Sequence, residues 1–244
     1  MKIDKMFNGL KRIANGDYVL EGDLISEETI EIDLDDRFVV KGRIKSKQSI
    51  IIRCGIEAGC GIEAGCGIEA GCGIEAGEGI ETGWGIKAGW GIEAGWGIKA
   101  GCGIETGEGI KAGWGIKAGC GIEAGEGIKA GCGIKAGEGI KAGWGIKAGC
   151  GIEAGEGIEA GCGIEAGCGI EAGEGIETGW GIKAGEGIKA GVFISVKKRI
   201  FAGISIYRTS KDCDKTIRCT ELRDGEVCYG ELILTGSEGK TDED

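Results

Sequence analysis

From Gly55 to Val192 the chain is an unbroken run of 23 hexads of the form Gly-Ile-(Glu/Lys)-(Ala/Thr)-Gly-X. Repetition at a short fixed period is the signature of stacked-repeat architectures, and it constrains the fold more tightly than composition does. Ile never varies. The third position is Glu in 13 hexads and Lys in 10, the fourth is Ala except at Thr82, Thr106 and Thr178, and X is Cys, Glu or Trp apart from Val192. The register continues outside the run, through Phe38, Ile44 and Ile50 before it and Ile194, Ile200 and Ile206 after it.

Three architectures fail against this pattern. A collagen-like or polyproline bundle needs Gly at every third residue, whereas here the spacing alternates between four and two. A helix would carry two Gly per hexad, each costing about 1 kcal/mol relative to Ala, with no apolar stripe at its period. A single continuous strand of this length would exceed about 400 Å. What remains is a three-residue strand, Ile-(Glu/Lys)-Ala, followed by a Gly-X-Gly corner, coiled so that each strand stacks on its equivalent one turn later. The expected fold is all-β, a β-solenoid of hexapeptide repeats. Three hexads per coil give a triangular section, with two or four as alternatives.

Within each strand the period of two puts Ile and Ala on one face and the charge on the other. Ile and Ala are therefore the inward stack. Position X accepts Trp, Glu and Cys, which no packed interior treats as equivalent, so X projects from the corner; its flanking Gly are expected to supply unusual backbone angles. A buried Ile contributes about 2 kcal/mol, less than the cost of ordering six residues, so a hexad needs neighbours on both sides and the ends need caps. Residues 1–36 are read as an N-terminal cap, in which Ile3, Met6, Phe7, Leu10 and Ile13 fall at helical spacing and Tyr18 to Gly42 alternates like strand. Residues 37–210 are read as the solenoid, 211–236 as a C-terminal β-hairpin cap signalled by Asp224-Gly225, and 237–244 as an acidic tail.

Composition narrows the chemistry. With no His, the usual base, triad and imidazole metal sites are excluded. There is no G-x-S-x-G, P-loop or paired-Cys redox motif, and near-identical hexads cannot set an acid and a base apart in pKa. The chain is expected not to be an enzyme and to hold no cofactor or metal. The corner cysteines run Cys54, Cys60, Cys66, Cys72, Cys102, Cys120, Cys132, Cys150, Cys162 and Cys168. Neighbours six apart do not match zinc spacing, and together with Cys213, Cys219 and Cys228 they make an odd total of 13, as expected of free thiols in a cytoplasmic protein. No apolar run is long enough to span a bilayer.

Two features point to a partner. All six Trp (Trp84, Trp90, Trp96, Trp114, Trp144 and Trp180) occupy X, where an exposed Trp can anchor a protein contact. Charge is banded: the net charge is -11, and the third position is Glu in five successive hexads at Glu153, Glu159, Glu165, Glu171 and Glu177. An acidic surface can occupy a groove built for nucleic acid, so the expected partner is a basic protein rather than nucleic acid or membrane.

The hexads Gly-Ile-Glu-Ala-Gly-Cys and Gly-Ile-Lys-Ala-Gly-Trp resemble repeats of small prophage-borne proteins, and the chain looks like an anti-CRISPR protein directed against an RNA-guided RNase. The resemblance implies a non-enzymatic inhibitor acting in the cytoplasm of a bacterial host on a CRISPR effector nuclease; it transfers no functional residue. The alternative is a structural rod, such as a phage fibre or surface protein, whose repeats set length and whose caps mediate self-association.

Overall fold

The computed structural model describes residues 1–204 and 214–235. They fall into two compact units, Met1–Ala130 and Gly131–Asp244. Ile206, Cys213 and the tail 237–244 lie outside the described residues.

In the first unit the strands recur every six residues and pair in parallel at a step of 18, which makes three hexads one coil. Ile44–Ser46, Ile62–Ala64, Ile80–Thr82, Ile98–Ala100 and Ile116–Ala118 stack in exact register as one face. Ile68–Ala70, Ile86–Ala88, Ile104–Thr106 and Ile122–Ala124 stack on a second face. A third is formed by Ile56–Ala58, Ile74–Ala76, Ile92–Ala94, Ile110–Ala112 and Ile128–Ala130. Every repeat Ile is at most 2% exposed and its Ala partner is buried with it, so the core is an Ile–Ala column and the expected inward face is the one observed. Where Thr replaces Ala it stays buried, because its hydroxyl finds a backbone partner at the next corner: Thr82 donates to the Trp84 carbonyl at 2.9 Å and Thr106 to the Glu108 carbonyl at 2.7 Å.

The second unit repeats the scheme. Ile134–Ala136, Ile152–Ala154, Ile170–Ala172 and Ile188–Ala190 form one parallel face, which Thr216–Cys219 and Glu231–Leu234 extend. Phe193–Phe201 is a longer strand that closes the other two faces, pairing Ile194 with Ile176 and Ile200 with Ile182. The Asp224-Gly225 turn signal lies inside the strand Glu221–Tyr229, which pairs in parallel with Phe193–Phe201 through several register shifts and holds Gly225 at φ 108°.

Two expectations are corrected. The first is the N-terminal helix, which is absent. Lys2–Ile3 is a strand parallel to Glu31–Ile32, and Leu10–Arg12 forms an antiparallel hairpin with Tyr18–Leu20. Of the helically spaced residues Ile3 is fully buried, whereas Met6 is 91% exposed and Ile13 is also exposed. Gly9 at φ 86° and Gly16 at φ 99° adopt the left-handed conformation that interrupts a helix, and extended chain can pair with the open sheet edge, which a helix cannot. The cap is held by charge. Asp35 accepts from the Lys5 ammonium at 2.7 Å and the Tyr18 hydroxyl at 2.9 Å, while the Arg12 guanidinium donates to Asp36 at 2.6 Å. These bonds bring the Asp35 carboxyl down to about 2. A depressed carboxylate contributes stability above the ordinary Asp range and loses it as pH falls through its folded value.

The second correction concerns the repeat glycines. Positive φ is confined among the described residues to Gly9, Gly16, Gly22, Gly203, Gly225 and Gly230, all outside the perfect run. The hexad glycines serve close approach instead. A methyl built on Gly119, the fifth residue of its hexad, would overlap the carbonyl oxygen of Gly101 one coil below, whereas one on Gly103, a first residue, would stand 3.3 Å from the Gly121 oxygen.

Candidate partner-binding surface

Most corner residues X are fixed by their own backbone, whose N–H donates to the carbonyl of the X residue one coil earlier. In the first unit this produces three columns: Cys60, Glu78, Trp96, Trp114; then Cys66, Trp84, Cys102, Cys120; then Cys72, Trp90, Glu108, Glu126. Because successive hexads occupy successive corners, Trp84, Trp90 and Trp96 place one indole on each corner around a single level of the coil. All six Trp are 57% to 67% exposed. Trp114 lies against Trp96 with ring centroids 6.1 Å apart and an interplanar angle of 19°. In the second unit Trp144 and Trp180 share a column with Cys162 between them, and the Lys198 ammonium sits 4.0 Å from the Trp180 ring centroid. Fixed backbone and full projection make the first-unit Trp collar a preordered aromatic surface.

The five glutamates singled out by their run in the sequence do not share one face. An 18-residue coil distributes hexads over three faces, so Glu153 and Glu171 stand on one face, Glu159 and Glu177 on the next, and Glu165 on the third. Four of them meet a lysine one coil away: Lys135–Glu153 at 2.6 Å, Lys141–Glu159 at 3.3 Å, Lys189–Glu171 at 2.6 Å, and Glu165 between Lys147 at 2.9 Å and Lys183 at 3.6 Å. The Lys147 hydrogen bond, helped by the Lys183 charge, holds the Glu165 carboxyl below the ordinary glutamate range. Glu177 differs, since its register neighbours are Glu159 and Ser195. The same pairing recurs in the first unit at Lys45–Glu63, Lys87–Glu105, Lys99–Glu81 and Lys111–Glu93.

Strand-centre charge is thus largely consumed by ladders. Acidity is better preserved at a second-unit corner, where Glu138, Glu156 and Glu174 stack through their backbones and are exposed, with no ion pair among the described residues. Sequence reasoning missed this column and the lysine partners. Their signal is a spacing of 18, which becomes meaningful only once the coil size is known. Among the described residues no group of three or more His, Cys, Asp or Glu side chains is placed to hold a metal ion. No family profile, no curated protein and no solved structure matches the chain.

The ladders carry a prediction with opposite signs at two glutamates. Glu165→Lys stacks a third ammonium between Lys147 and Lys183 and should lower stability, whereas Glu177→Lys places an ammonium opposite Glu159 and should raise it. Each change is expected to be about 0.5 kcal/mol, the scale of an exposed cross-strand pair. Both should shrink in molar salt. Thermal melts of the two variants at low and high salt check this; shifts of the same sign would refute the ladder assignment.

Proposed function

We propose that this chain is a non-enzymatic binding protein that inhibits a host RNA-guided nuclease, as the anti-CRISPR resemblance of its hexads implies, and that its contact surface is the Trp-bearing corners. The observation that carries the proposal is the collar of Trp84, Trp90 and Trp96, three large apolar side chains held in solvent by a backbone that has no packing use for them. Trp is the residue type most enriched where interfaces concentrate their energy. The acidic corner of Glu138, Glu156 and Glu174 supports a basic partner, taking the role first given to the Glu153–Glu177 run. Electrostatic attraction of this kind speeds association, and the aromatic contacts hold the complex.

Target-RNA cleavage by purified RNA-guided RNases, assayed with and without the full chain, tests it. The parent is expected to inhibit one of them at near-equimolar concentration. Replacing Trp84, Trp90 and Trp96 together by Ser should weaken inhibition at least about 100-fold while circular dichroism stays unchanged, the size expected when hot-spot contacts are removed. A folded triple variant that inhibits as well as the parent would exclude the collar.

The structural rod is favoured by one observation. The last described coil leaves Tyr229 44% and Leu232 37% exposed, apolar surface of the kind that end-on self-association would bury. Sedimentation velocity separates the two, since a rod built by stacking grows in mass with concentration.

A further inference from the structure

The ten corner cysteines, sorted by column, are not scattered. Cys132, Cys150 and Cys168 occupy three successive levels of one second-unit corner, with the Cys150 N–H donating to the Cys132 carbonyl and the Cys168 N–H to the Cys150 carbonyl, each at 3.1 Å. Cys102 and Cys120 are stacked in the same way in the first unit, and Cys54 precedes Cys72 by the same 18 residues. Cys60, Cys66 and Cys162 have Glu, Trp or non-cysteine neighbours along their columns instead.

We propose that the Cys132–Cys150–Cys168 column is a linear binding site for soft, two-coordinate d10 cations of the copper(I) and silver(I) class. Register sets the distance between donors. Adjacent strands lie about 4.8 Å apart, and the flanking strands are paired residue for residue, Ile134 with Ile152 and Ile152 with Ile170. A metal–thiolate bond is about 2.3 Å for zinc and of the same order for other d10 ions, so an ion held in line between two sulfurs spans about 4.6 Å. The backbones of neighbouring column cysteines are therefore stepped at the separation such an ion bridges. Thiolate sulfur is also the donor that selects copper(I).

The surroundings exclude other ions. Structural zinc requires four converging ligands, and no three candidate ligands converge here. Calcium and magnesium require oxygen donors. Access is open: Cys132 and Cys150 are exposed, Cys168 is half-buried, and each is flanked by glycines that present no side chain. Without an ion, burial and then the two adjacent thiols push the Cys150 pKa up. Binding is a displacement without redox change. The first ion takes two thiols and releases two protons; the second uses the shared Cys150 sulfur as a bridge and releases one more. Two ions on three thiolates leave one negative charge.

Anaerobic titration of the full chain with silver(I) or acetonitrile-stabilised copper(I), against a competing chelator and read by native mass spectrometry, tests the site. Replacing Cys132, Cys150 and Cys168 together by Ser should remove about two ions, as should Cys150→Ser alone, because it breaks both bridges. Cys132→Ser or Cys168→Ser should each remove one. Replacing the isolated Cys60, Cys66 and Cys162 together should remove none. Parent protein loaded with silver(I) supplies the check that needs no variant: Cys132, Cys150 and Cys168 should resist alkylation while Cys60, Cys66 and Cys162 react. If losses simply track the number of cysteines removed, or if loaded protein is alkylated equally at both sets, the column is not a site.

Discussion

Replacing Ile122 by Asp should abolish cooperative folding of the unit that contains it. Ile122 is 1% exposed and stacks in register on Ile104. The change removes an apolar side chain from an Ile column and places a carboxylate where no hydrogen-bond donor is available, a combination expected to cost about 5 kcal/mol or more. A short-period solenoid feels such a loss acutely, because each coil is stabilised by the coils it touches and a broken level separates the rest into shorter stacks. Glu126→Trp, four residues on, should leave the melting transition nearly unchanged. Glu126 is exposed at a corner whose column already contains Trp90 and Glu108. Urea denaturation followed by circular dichroism measures both; comparable losses would overturn the division between an inward Ile and an outward X.

The second large effect separates two glycines that look alike in the sequence. Gly119→Ala should destabilise by about 3 kcal/mol or more, because its methyl would intrude on the Gly101 carbonyl, part of a rigid parallel ladder that cannot step aside. Gly103→Ala should cost less than about 1 kcal/mol. Its methyl would stand 3.3 Å from the Gly121 oxygen, a contact relieved by a shift of a few tenths of an ångström, and Ala restricts the unfolded chain more than Gly does. Equal melting temperatures for the two variants would show that backbone freedom, and not close approach, selects glycine at the fifth position.

Much of the fold is legible in the hexad. The alternation Ile-charge-Ala, the invariance of Ile and the indifference of X together specify an Ile–Ala interior and exposed corners, because only a repeated strand satisfies all three. The N-terminal cap is misread because Ile3, Met6, Phe7, Leu10 and Ile13 present a helical period with no weight given to the open sheet edge beside them, where Lys2 and Ile3 find partners in Glu31 and Ile32. Local periodicity yields to a pairing opportunity that exists only in the folded coil.

What the amino-acid order determined alone is the element and its facing. Six residues carry a complete prescription for one strand and one corner, and no distant contact is needed to decide which side chain turns inward. Which elements become neighbours was decided by the tertiary structure, through a single quantity, the 18 residues per coil. That number places Glu165 between two lysines, divides an apparent acidic run among three faces, gathers Trp84, Trp90 and Trp96 around one level, and stacks Cys132, Cys150 and Cys168. The hexad cannot disclose it, since two, three or four repeats per turn preserve the same inward Ile; the closure of the coil depends on how three strands pack their Ile side chains against one another across the core.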